Sequence, residues 1–211
     1  MVKKIQLALD RMTKKECFYY IEETKEFIDY IEIGTGVIKE YGMDIVREIR
    51  EAYPNMSILA DMKTCDAGKS ETEQAINSGA NISTVMAFSN QITIKETLNV
   101  AKVLDGEILI DLLVVNSKER VDSIYELGAR NFCVHIGKDM QNKGNKLFKG
   151  MFDLVNDLKA VTIFAAGGIN ESNVRYLKGL PINTFIVGSG IVSVDNPKWA
   201  AKNIKSIISN F

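Results

Sequence analysis

Short apolar runs alternate with amphipathic stretches along the whole chain. The apolar runs are typical of buried strands, and the stretches between them carry apolar residues at helical spacing. The pattern predicts eight strands, over residues 5–9, 28–33, 57–62, 82–87, 108–114, 132–135, 161–165 and 184–187. It predicts a helix after each strand, over residues 14–25, 43–52, 70–78, 93–104, 118–127, 148–158, 172–177 and 197–209.

This regular succession favours a single (β/α)8 TIM barrel that occupies residues 1–211 as one domain, because no linker or low-complexity segment interrupts it. An open, doubly wound sheet is the alternative, but eight even repeats favour closure. The one long connection, residues 137–149, follows the sixth strand and is rich in Lys, Asn and Gly. We interpret it as a mobile lid over the end of the barrel where chemistry takes place.

Composition and charge limit the class of protein. With 46% hydrophobic and 25% charged residues, the chain resembles an ordinary globular protein with one core. Its formal net charge of −1 argues against a nucleic-acid-binding surface or a polybasic membrane anchor. No apolar stretch reaches the roughly 18 residues that a membrane span needs, and the first residues show no signal-peptide pattern. We therefore expect no nucleic-acid partner, no membrane association and a cytoplasmic location.

The cysteines and the histidine limit the chemistry further. Cys17, Cys65 and Cys133 form no CxxC pair, so we expect reduced thiols rather than a zinc site. His135 is the single histidine in the sequence, which excludes any mechanism that needs two imidazoles. It is also the one side chain whose unperturbed pKa lies near neutrality.

Ionisable residues lie near the C-terminal ends of five predicted strands. They are Asp10, Glu32, Asp61 with Lys63, Asp111 and His135. In a TIM barrel the catalytic groups converge at this end. Any one of these residues alone is more simply explained by a salt bridge or a polar layer. Five strands that bring charges to one rim predict a catalytic site, because buried charges lower stability unless they are paired.

Glu32 and Asp61 suit a hard divalent cation, since two carboxylates with water and substrate oxygens are the usual partial shell of Mg²⁺. Without a metal the two would repel each other, and only Lys63 would relieve the repulsion. Lys63 lies between Asp61 and Asp66 in the sequence, so we expect these carboxylates to raise its pKa. A permanently charged ammonium argues against a Schiff-base lysine and favours a donor that stabilises developing negative charge.

Two glycine-containing turns in the last quarter of the chain predict a phosphate site. Ala166-Gly167-Gly168 follows the seventh strand and Gly188-Ser189 follows the eighth. TIM barrels often bind a phosphate group with backbone amides from these two loops. Either turn alone is equally consistent with an ordinary tight turn.

Taken together, the motifs resemble a known family over essentially the whole chain. They are Leu7-Ala8-Leu9-Asp10, Glu32-Ile33-Gly34-Thr35, residues 60–68, Val134-His135-Ile136-Gly137 and residues 165–169. They resemble the 3-hexulose-6-phosphate synthases of the orotidine-5′-phosphate decarboxylase superfamily, whose DxKxxD pattern is Asp61, Lys63 and Asp66 here. The related 3-keto-L-gulonate-6-phosphate decarboxylases share the metal-binding framework and are the first alternative.

Four positions separate these two activities. The decarboxylases usually carry Glu on strand five, His-Arg-x-Arg after strand six, Thr before the glycine pair and Gly-Arg after strand eight. In this sequence the corresponding residues are Asp111, His135-Ile136-Gly137-Lys138, Ala166 and Gly188-Ser189. All four favour the synthase. Ile136 departs from the usual synthase pattern, and Lys138 keeps a cation near the second arginine of the decarboxylases.

The resemblance implies an Mg²⁺-dependent aldol condensation of ribulose 5-phosphate, a sugar phosphate, with formaldehyde through an enediolate, and the reverse cleavage. Glu32 and Asp61 would bind the metal, His135 would remove the C1 proton, and Lys63 would stabilise the enediolate. Substrate hydroxyls would be oriented by Asp10 and Asp111, and the phosphate bound by Ala166, Gly167, Gly168, Gly188 and Ser189. The resemblance also implies a homodimer with shared active sites, in which Asp66 acts in the neighbouring site.

Three further alternatives remain at this point. Orotidylate decarboxylation needs neither a metal nor a histidine on strand six, so it would leave Glu32 and His135 unexplained. A catalytically inert barrel that binds a phosphosugar would gain nothing from a set of costly carboxylates. Asp66 could also pair simply with Lys63 of its own subunit, which the residues alone would favour.

Overall fold

The computed structural model describes residues 2–211 and contains a closed barrel of parallel strands. The strands β1–β8 span Lys4–Leu9, Tyr30–Ile33, Ser57–Thr64, Ile82–Met86, Glu107–Asp111, Asn131–His135, Thr162–Ala166 and Thr184–Val187. Each strand pairs with its neighbours in the sequence, and β8 closes the barrel against β1. The predicted (β/α)8 TIM barrel is therefore confirmed, and the open doubly wound sheet is not formed.

Helices surround the barrel as predicted, with three short additions. The α-helices α1–α9 span Lys14–Thr24, Thr35–Tyr41, Asp44–Ala52, Gly68–Asn77, Gln91–Val103, Lys118–Glu126, Lys138–Asn142, Ser189–Val192 and Pro197–Ile208. The stretches predicted as helices over 148–158 and 172–177 instead form 3₁₀ helices at Lys149–Leu154 and Val174–Leu177. Among the described residues, no helix is both long and apolar enough to cross a membrane.

The three short helices α2, α7 and α8 were not predicted, because four to seven residues are too few to show a helical period. Helix α7 begins at Lys138, inside the connection that we expected to be a loop over residues 137–149. That expectation is wrong for the first part of the segment. Whether the segment moves as a lid stays a prediction.

Two apolar layers hold the barrel. The larger one lies between the strands and the surrounding helices, and Ile5, Leu7, Ile31 and Phe185 are among its buried members. The smaller one fills the inside of the barrel and consists of Leu59, Ile82, Leu109, Cys133, Phe164, Ala166 and Ile186. Side chains alternate along a strand, so the residues two positions after Leu59, Leu109 and Cys133 also face inward. The charged residues therefore lie directly above an apolar base.

Candidate active site

A cavity of about 800 Å³ opens at the C-terminal ends of the strands. All but one of the predicted site residues line it: Asp10, Glu32, Asp61, Lys63, Asp111, His135, Ala166, Gly167, Gly168, Gly188 and Ser189. The exception is Asp66. Parallel strands of a closed barrel end on one rim, which is why residues far apart in the sequence meet in this cavity.

Asp61 lies at the centre of the polar network. Its Oδ2 accepts hydrogen bonds from Lys63 Nζ at 2.9 Å and from Thr35 Oγ1 at 2.9 Å. Its Oδ1 accepts one from Thr84 Oγ1 at 3.0 Å and faces Lys63 Nζ at 3.2 Å. The carboxylate is buried, and these charge-assisted bonds compensate for its lost hydration.

His135 is oriented by a carboxylate from the neighbouring strand. Its Nδ1 lies 3.0 Å from Oδ1 and 2.9 Å from Oδ2 of Asp111, and the ionised carboxylate can only accept a hydrogen bond there. The neutral imidazole therefore carries its hydrogen on Nδ1, and Nε2 is left as the basic nitrogen. Burial opposes the charged form of His135, but the bond to Asp111 raises its pKa above the ordinary value.

Lys63 connects Asp61 with Asp111. Its Nζ forms ion pairs with Asp61 Oδ2 at 2.9 Å and with Asp111 Oδ2 at 3.3 Å. Burial alone would lower the pKa of Lys63, but the two carboxylates raise it well above the ordinary value of 10.5. The expected rise is present, but the partner assigned from the sequence is wrong, because Asp111 rather than Asp66 is the second carboxylate. Among residues 2–211, Asp66 forms no ion pair with Lys63.

Asp111 itself is held in the ionised form. Burial would raise its pKa, but the hydrogen bond and charge of His135, the charge of Lys63 and the Leu113 backbone N–H at 2.9 Å together lower it. Its oxygens thus accept bonds from three donors of the chain. This arrangement orients His135 and Lys63 and leaves little of the carboxylate free for a substrate hydroxyl.

Glu32 is the least stabilised carboxylate of the site. Burial and the nearby charge of Asp61 raise the pKa of Glu32 to about 7, although the hydrogen bond from Gln6 Nε2 at 2.6 Å opposes this. Gln6 is completely buried, so it fixes the Glu32 carboxylate in one orientation. A cation beside Glu32 and Asp61 would remove the repulsion between them.

The donor set therefore fits a hard divalent cation with an incomplete protein shell. Among the described residues, no group of three or more His, Cys, Asp or Glu side chains is arranged to hold a metal ion. Two carboxylates are a typical protein contribution to Mg²⁺, which keeps several water or substrate oxygens. Glu32 and Asp61 are the residues that would hold it.

The two glycine-containing loops border the same cavity and contact each other. The backbone at Gly168 is left-handed, with φ of 66°, so a side chain there would be strained. A Cβ at Gly190 would lie 2.3 Å from the Ile169 carbonyl oxygen, so the loops after β7 and β8 pack backbone to backbone. Gln141 of α7 donates from Nε2 to the Ile136 carbonyl oxygen at 2.7 Å and lies beside Gly168. Gly167, Gly168 and Gly188 themselves carry no side chain, so an anion could approach the backbone N–H groups of these loops.

Asp10 follows β1, the strand that pairs with β8 on one side and with β2 on the other. Its Oδ1 accepts from the Gly36 backbone N–H at 2.7 Å, and its Oδ2 pairs with Arg11 at 2.9 Å. One edge of its carboxylate is thus fixed by the start of α2, while the residue still lines the cavity. This position is compatible with the predicted contact to a substrate hydroxyl.

Asp66 lies outside this cavity. It is exposed, and it lines a separate surface cavity of about 480 Å³ between the first turns of α4 and α5, with Ser70, Ile92 and Glu96 among its neighbours. The next residue, Ala67, lies in the left-handed region with φ of 51° and directly precedes α4. The structure thus separates Asp66 from the other members of the DxKxxD pattern.

Sequence reasoning missed the neutral residues that complete the site. Thr35 was quoted only as part of a family motif, and Gln6, Thr84 and Gln141 were given no role. Strand parity would have placed Gln6 and Thr84 inside the barrel. It gives no signal, however, of which buried carboxylate such a residue contacts.

The chain is similar to known proteins over almost its whole length. A family model described as "Orotidine 5'-phosphate decarboxylase / HUMPS family" matches residues 3–204. The chain is 35% identical over 206 residues to a 3-hexulose-6-phosphate synthase of Bacillus subtilis (strain 168), covering 97% of this chain and 98% of the relative. It is also 30% identical over 206 residues to a 3-hexulose-6-phosphate synthase of Staphylococcus aureus.

Solved structures show the same similarity. The crystal structure of 3-hexulose-6-phosphate synthase from Salmonella typhimurium superimposes with a TM-score of 0.95 at 30% identity, over 98% of this chain and 99% of that one. A 3-keto-L-gulonate-6-phosphate decarboxylase from Vibrio cholerae matches with a TM-score of 0.89 at 26% identity, over 100% of this chain and 99% of that one. The chain therefore belongs to the orotidine 5′-phosphate decarboxylase / HUMPS family.

Proposed function

We propose that this protein catalyses the aldol condensation of ribulose 5-phosphate with formaldehyde to 3-hexulose 6-phosphate, and the reverse cleavage. The single observation that supports it best is the continuous set of contacts from Asp61 through Lys63 and Asp111 to His135. These contacts orient a base, His135, and fix an ammonium group, Lys63, in one cavity. Formation of an enediolate requires both groups. The similarity to synthases at 30–35% identity supports the same reaction.

In the proposed reaction, Nε2 of His135 takes a proton from C1 of ribulose 5-phosphate. Asp111 stabilises the resulting imidazolium through Nδ1, and Lys63 donates to the enediolate oxygens. C1 then attacks the carbonyl carbon of formaldehyde, and the aldehyde oxygen takes the proton from the His135 imidazolium, which restores the neutral base. Asp10, which also lines the cavity, would orient a substrate hydroxyl.

We assign Glu32 and Asp61 as the residues that hold Mg²⁺. Bound there, the cation would supply positive charge that polarises the ketone and hydroxyl oxygens of the substrate. The rest of the assignment concerns the chain itself. Gln6 orients Glu32, and Thr35 with Thr84 orients Asp61, so both carboxylates are arranged before any cation binds.

The phosphate group would bind at the loops after β7 and β8. Gly167, Gly168 and Gly188 offer backbone without side chains, and Ser189 adds a hydroxyl. Ala166 ends β7 directly beneath them. With its phosphate bound there, the substrate would extend across the cavity and place C1 near His135 on the neighbouring strand β6.

We further propose a homodimer in which Asp66 completes the active site of the other subunit. The support is its exposed position, in a surface cavity separate from the barrel mouth. Phe88 and Ile92 are exposed apolar residues of the same region, at 53% and 72%, and would be covered in such a dimer. The cytoplasmic location also remains a proposal.

The second candidate is decarboxylation of 3-keto-L-gulonate 6-phosphate, which shares the enediolate. The observation that favours it is Lys138, a cation that lines the cavity after β6. Against it stand Asp111, Ala166 and Ser189, which differ from the decarboxylase pattern at three places in the cavity.

The decisive experiment measures both reactions with the purified protein, with Mg²⁺ and with excess EDTA. We expect consumption of ribulose 5-phosphate that depends on formaldehyde, and we expect EDTA to abolish it. Release of CO₂ from 3-keto-L-gulonate 6-phosphate at a higher kcat/KM would instead support the second candidate. Turnover of neither substrate would support an inert binding barrel.

A further inference from the structure

The C-terminal half of β3 departs from regular strand geometry beside a single buried hydroxyl. Ala60 is paired with Ser83 of β4, but the next pair is Thr64 with Val85. Three residues of β3 thus stand opposite one residue of β4, which is a bulge. The residue of β4 that faces this bulge is Thr84, which is 3% exposed.

The bulge leaves Lys63 in an unfavourable backbone conformation. Its φ is 48°, in the left-handed region that a lysine rarely adopts and that costs of order 1 kcal/mol or more. Its backbone N–H donates to Thr84 Oγ1 at 2.8 Å. A side-chain hydroxyl therefore takes the place of a carbonyl acceptor on β4.

The same hydroxyl has a second partner. Thr84 Oγ1 donates its proton to Oδ1 of Asp61 at 3.0 Å, so it accepts from Lys63 and donates to Asp61 at once. Asp61 and Lys63 are themselves joined by an ion pair at 2.9 Å. One buried oxygen thus fixes the backbone that carries the ammonium and the carboxylate that faces it.

We propose that Thr84 is a positioning residue of the active site, which sets the relative placement of the Asp61 carboxylate and the Lys63 ammonium. The inference rests on the proposed function, since it assigns to Asp61 and Lys63 the roles given above. Without the hydroxyl, the Lys63 backbone N–H would lose its acceptor and Asp61 would lose one of its donors. The ammonium would then be free to shift with its backbone, and hydrogen-bonding partners of this kind commonly affect activity by about 10–100-fold.

The test compares variants at position 84 with a matched threonine on another strand. Thr84→Val and Thr84→Ala remove the hydroxyl, while Thr84→Ser keeps it. The control is Thr184→Val, because Thr184 on β8 is also completely buried and its hydroxyl has no hydrogen-bond partner among the described residues. We expect Thr84→Val and Thr84→Ala to lower kcat about 10–100-fold with a smaller change in KM. The kcat of Thr84→Ser and of Thr184→Val should stay within about threefold of the kcat of the unchanged protein, which is well below the loss expected for the hydroxyl-free variants.

A second measurement does not depend on turnover. Amide hydrogen exchange at Lys63, followed by NMR or mass spectrometry, should be faster in Thr84→Val and Thr84→Ala than in Thr84→Ser. The proposal would be overturned by unchanged kcat in both hydroxyl-free variants, by an equal loss in Thr84→Ser, or by an equal loss in Thr184→Val. If the unchanged protein shows no aldol activity, the proposed function fails, whereas the exchange measurement still tests whether Thr84 holds the Lys63 backbone.

Discussion

Nδ1 of His135 lies 2.9 Å from Oδ2 of Asp111, and the two residues end the neighbouring strands β6 and β5. This contact decides which imidazole nitrogen is free to act as a base, and it raises the pKa of His135 above its ordinary value of 6.5. A base works in its neutral form, so activity should rise with pH through the raised pKa.

Asp111→Asn should move the acidic limb of the kcat/KM profile to lower pH. The amide removes the negative charge that favours the imidazolium, so the neutral imidazole persists to lower pH. The maximum rate should also fall, because the amide can present the wrong group to Nδ1. The measurement is kcat/KM for ribulose 5-phosphate across pH 5–9. Glu107→Gln, at the exposed opposite end of β5, is the matched control and should leave the limb in place. If the acidic limb does not shift in Asp111→Asn, the group that titrates in this limb is not His135.

The placement of the charged residues was predictable from local pattern because of how parallel strands close into a barrel. Asp61, Asp111 and His135 stand near the ends of apolar runs, and any closed barrel brings those ends together. No knowledge of the side-chain contacts was needed. The same reasoning placed Gly168 and Gly188 on adjacent loops.

The contacts within the site were not predictable in this way. The residues alone favoured Asp66, a near neighbour in the sequence, as a partner of Lys63. The barrel instead brings Asp111 from β5 within 3.3 Å of Lys63 Nζ. Thr84 carries no charge and lies in an ordinary strand pattern, so its role depends on a register shift that a local pattern does not encode. The short helix α7 likewise escaped prediction, since five residues show no period.

His135→Asn should lower kcat by about 10²–10⁴-fold with a smaller change in KM, as expected when a proton-transfer group is removed. The half-reaction can be observed alone. In D₂O without formaldehyde, the unchanged protein should exchange the C1 proton of ribulose 5-phosphate for deuterium, as followed by NMR. Undiminished exchange in the variant would show that another group is the base.

Glu32→Gln should change how the stability of the protein depends on pH in the absence of a divalent cation. Burial and Asp61 raise the pKa of Glu32 from 4.5 to about 7, so the folded protein binds this proton more tightly than the unfolded chain. Without a divalent cation, this carboxyl therefore lowers the free energy of unfolding as pH rises from about 4.5 to about 7. Glu32→Gln lacks this contribution, so its Tm relative to the unchanged protein should rise with pH.

The same variant should lose the response to Mg²⁺. Thermal denaturation at pH 5 and pH 8, with EDTA or with Mg²⁺, measures both effects. We expect Mg²⁺ to raise the Tm of the unchanged protein at pH 8 and to have little effect on Glu32→Gln, because a ligand stabilises only the state that binds it. Equal stabilisation of both proteins, or full activity in excess EDTA, would contradict the metal assignment.

Gly168→Val should raise KM for ribulose 5-phosphate more than it changes kcat. A branched side chain would cover the backbone that the phosphate approaches, beside Gln141. Backbone strain is a separate effect, because φ at Gly168 is 66°. Gly179→Val provides the matched control, since Gly179 has φ of 84° in open space and does not line the cavity. Equal KM values in the two variants would place the phosphate elsewhere.

Mixing two inactive variants tests whether Asp66 serves the other subunit. Asp66→Ala and His135→Asn should each be nearly inactive alone. If Asp66 acts across a two-fold interface, a mixed dimer has one site with both lesions and one intact site, and half of all dimers are mixed. Random reassortment of equal amounts should then restore roughly a quarter of all sites. If Asp66 serves its own subunit, every site keeps one lesion and mixing restores nothing. Native mass spectrometry with one variant isotopically labelled must first establish that the subunits exchange. If the activity of the mixture then stays at the level of the single variants, the shared site is excluded.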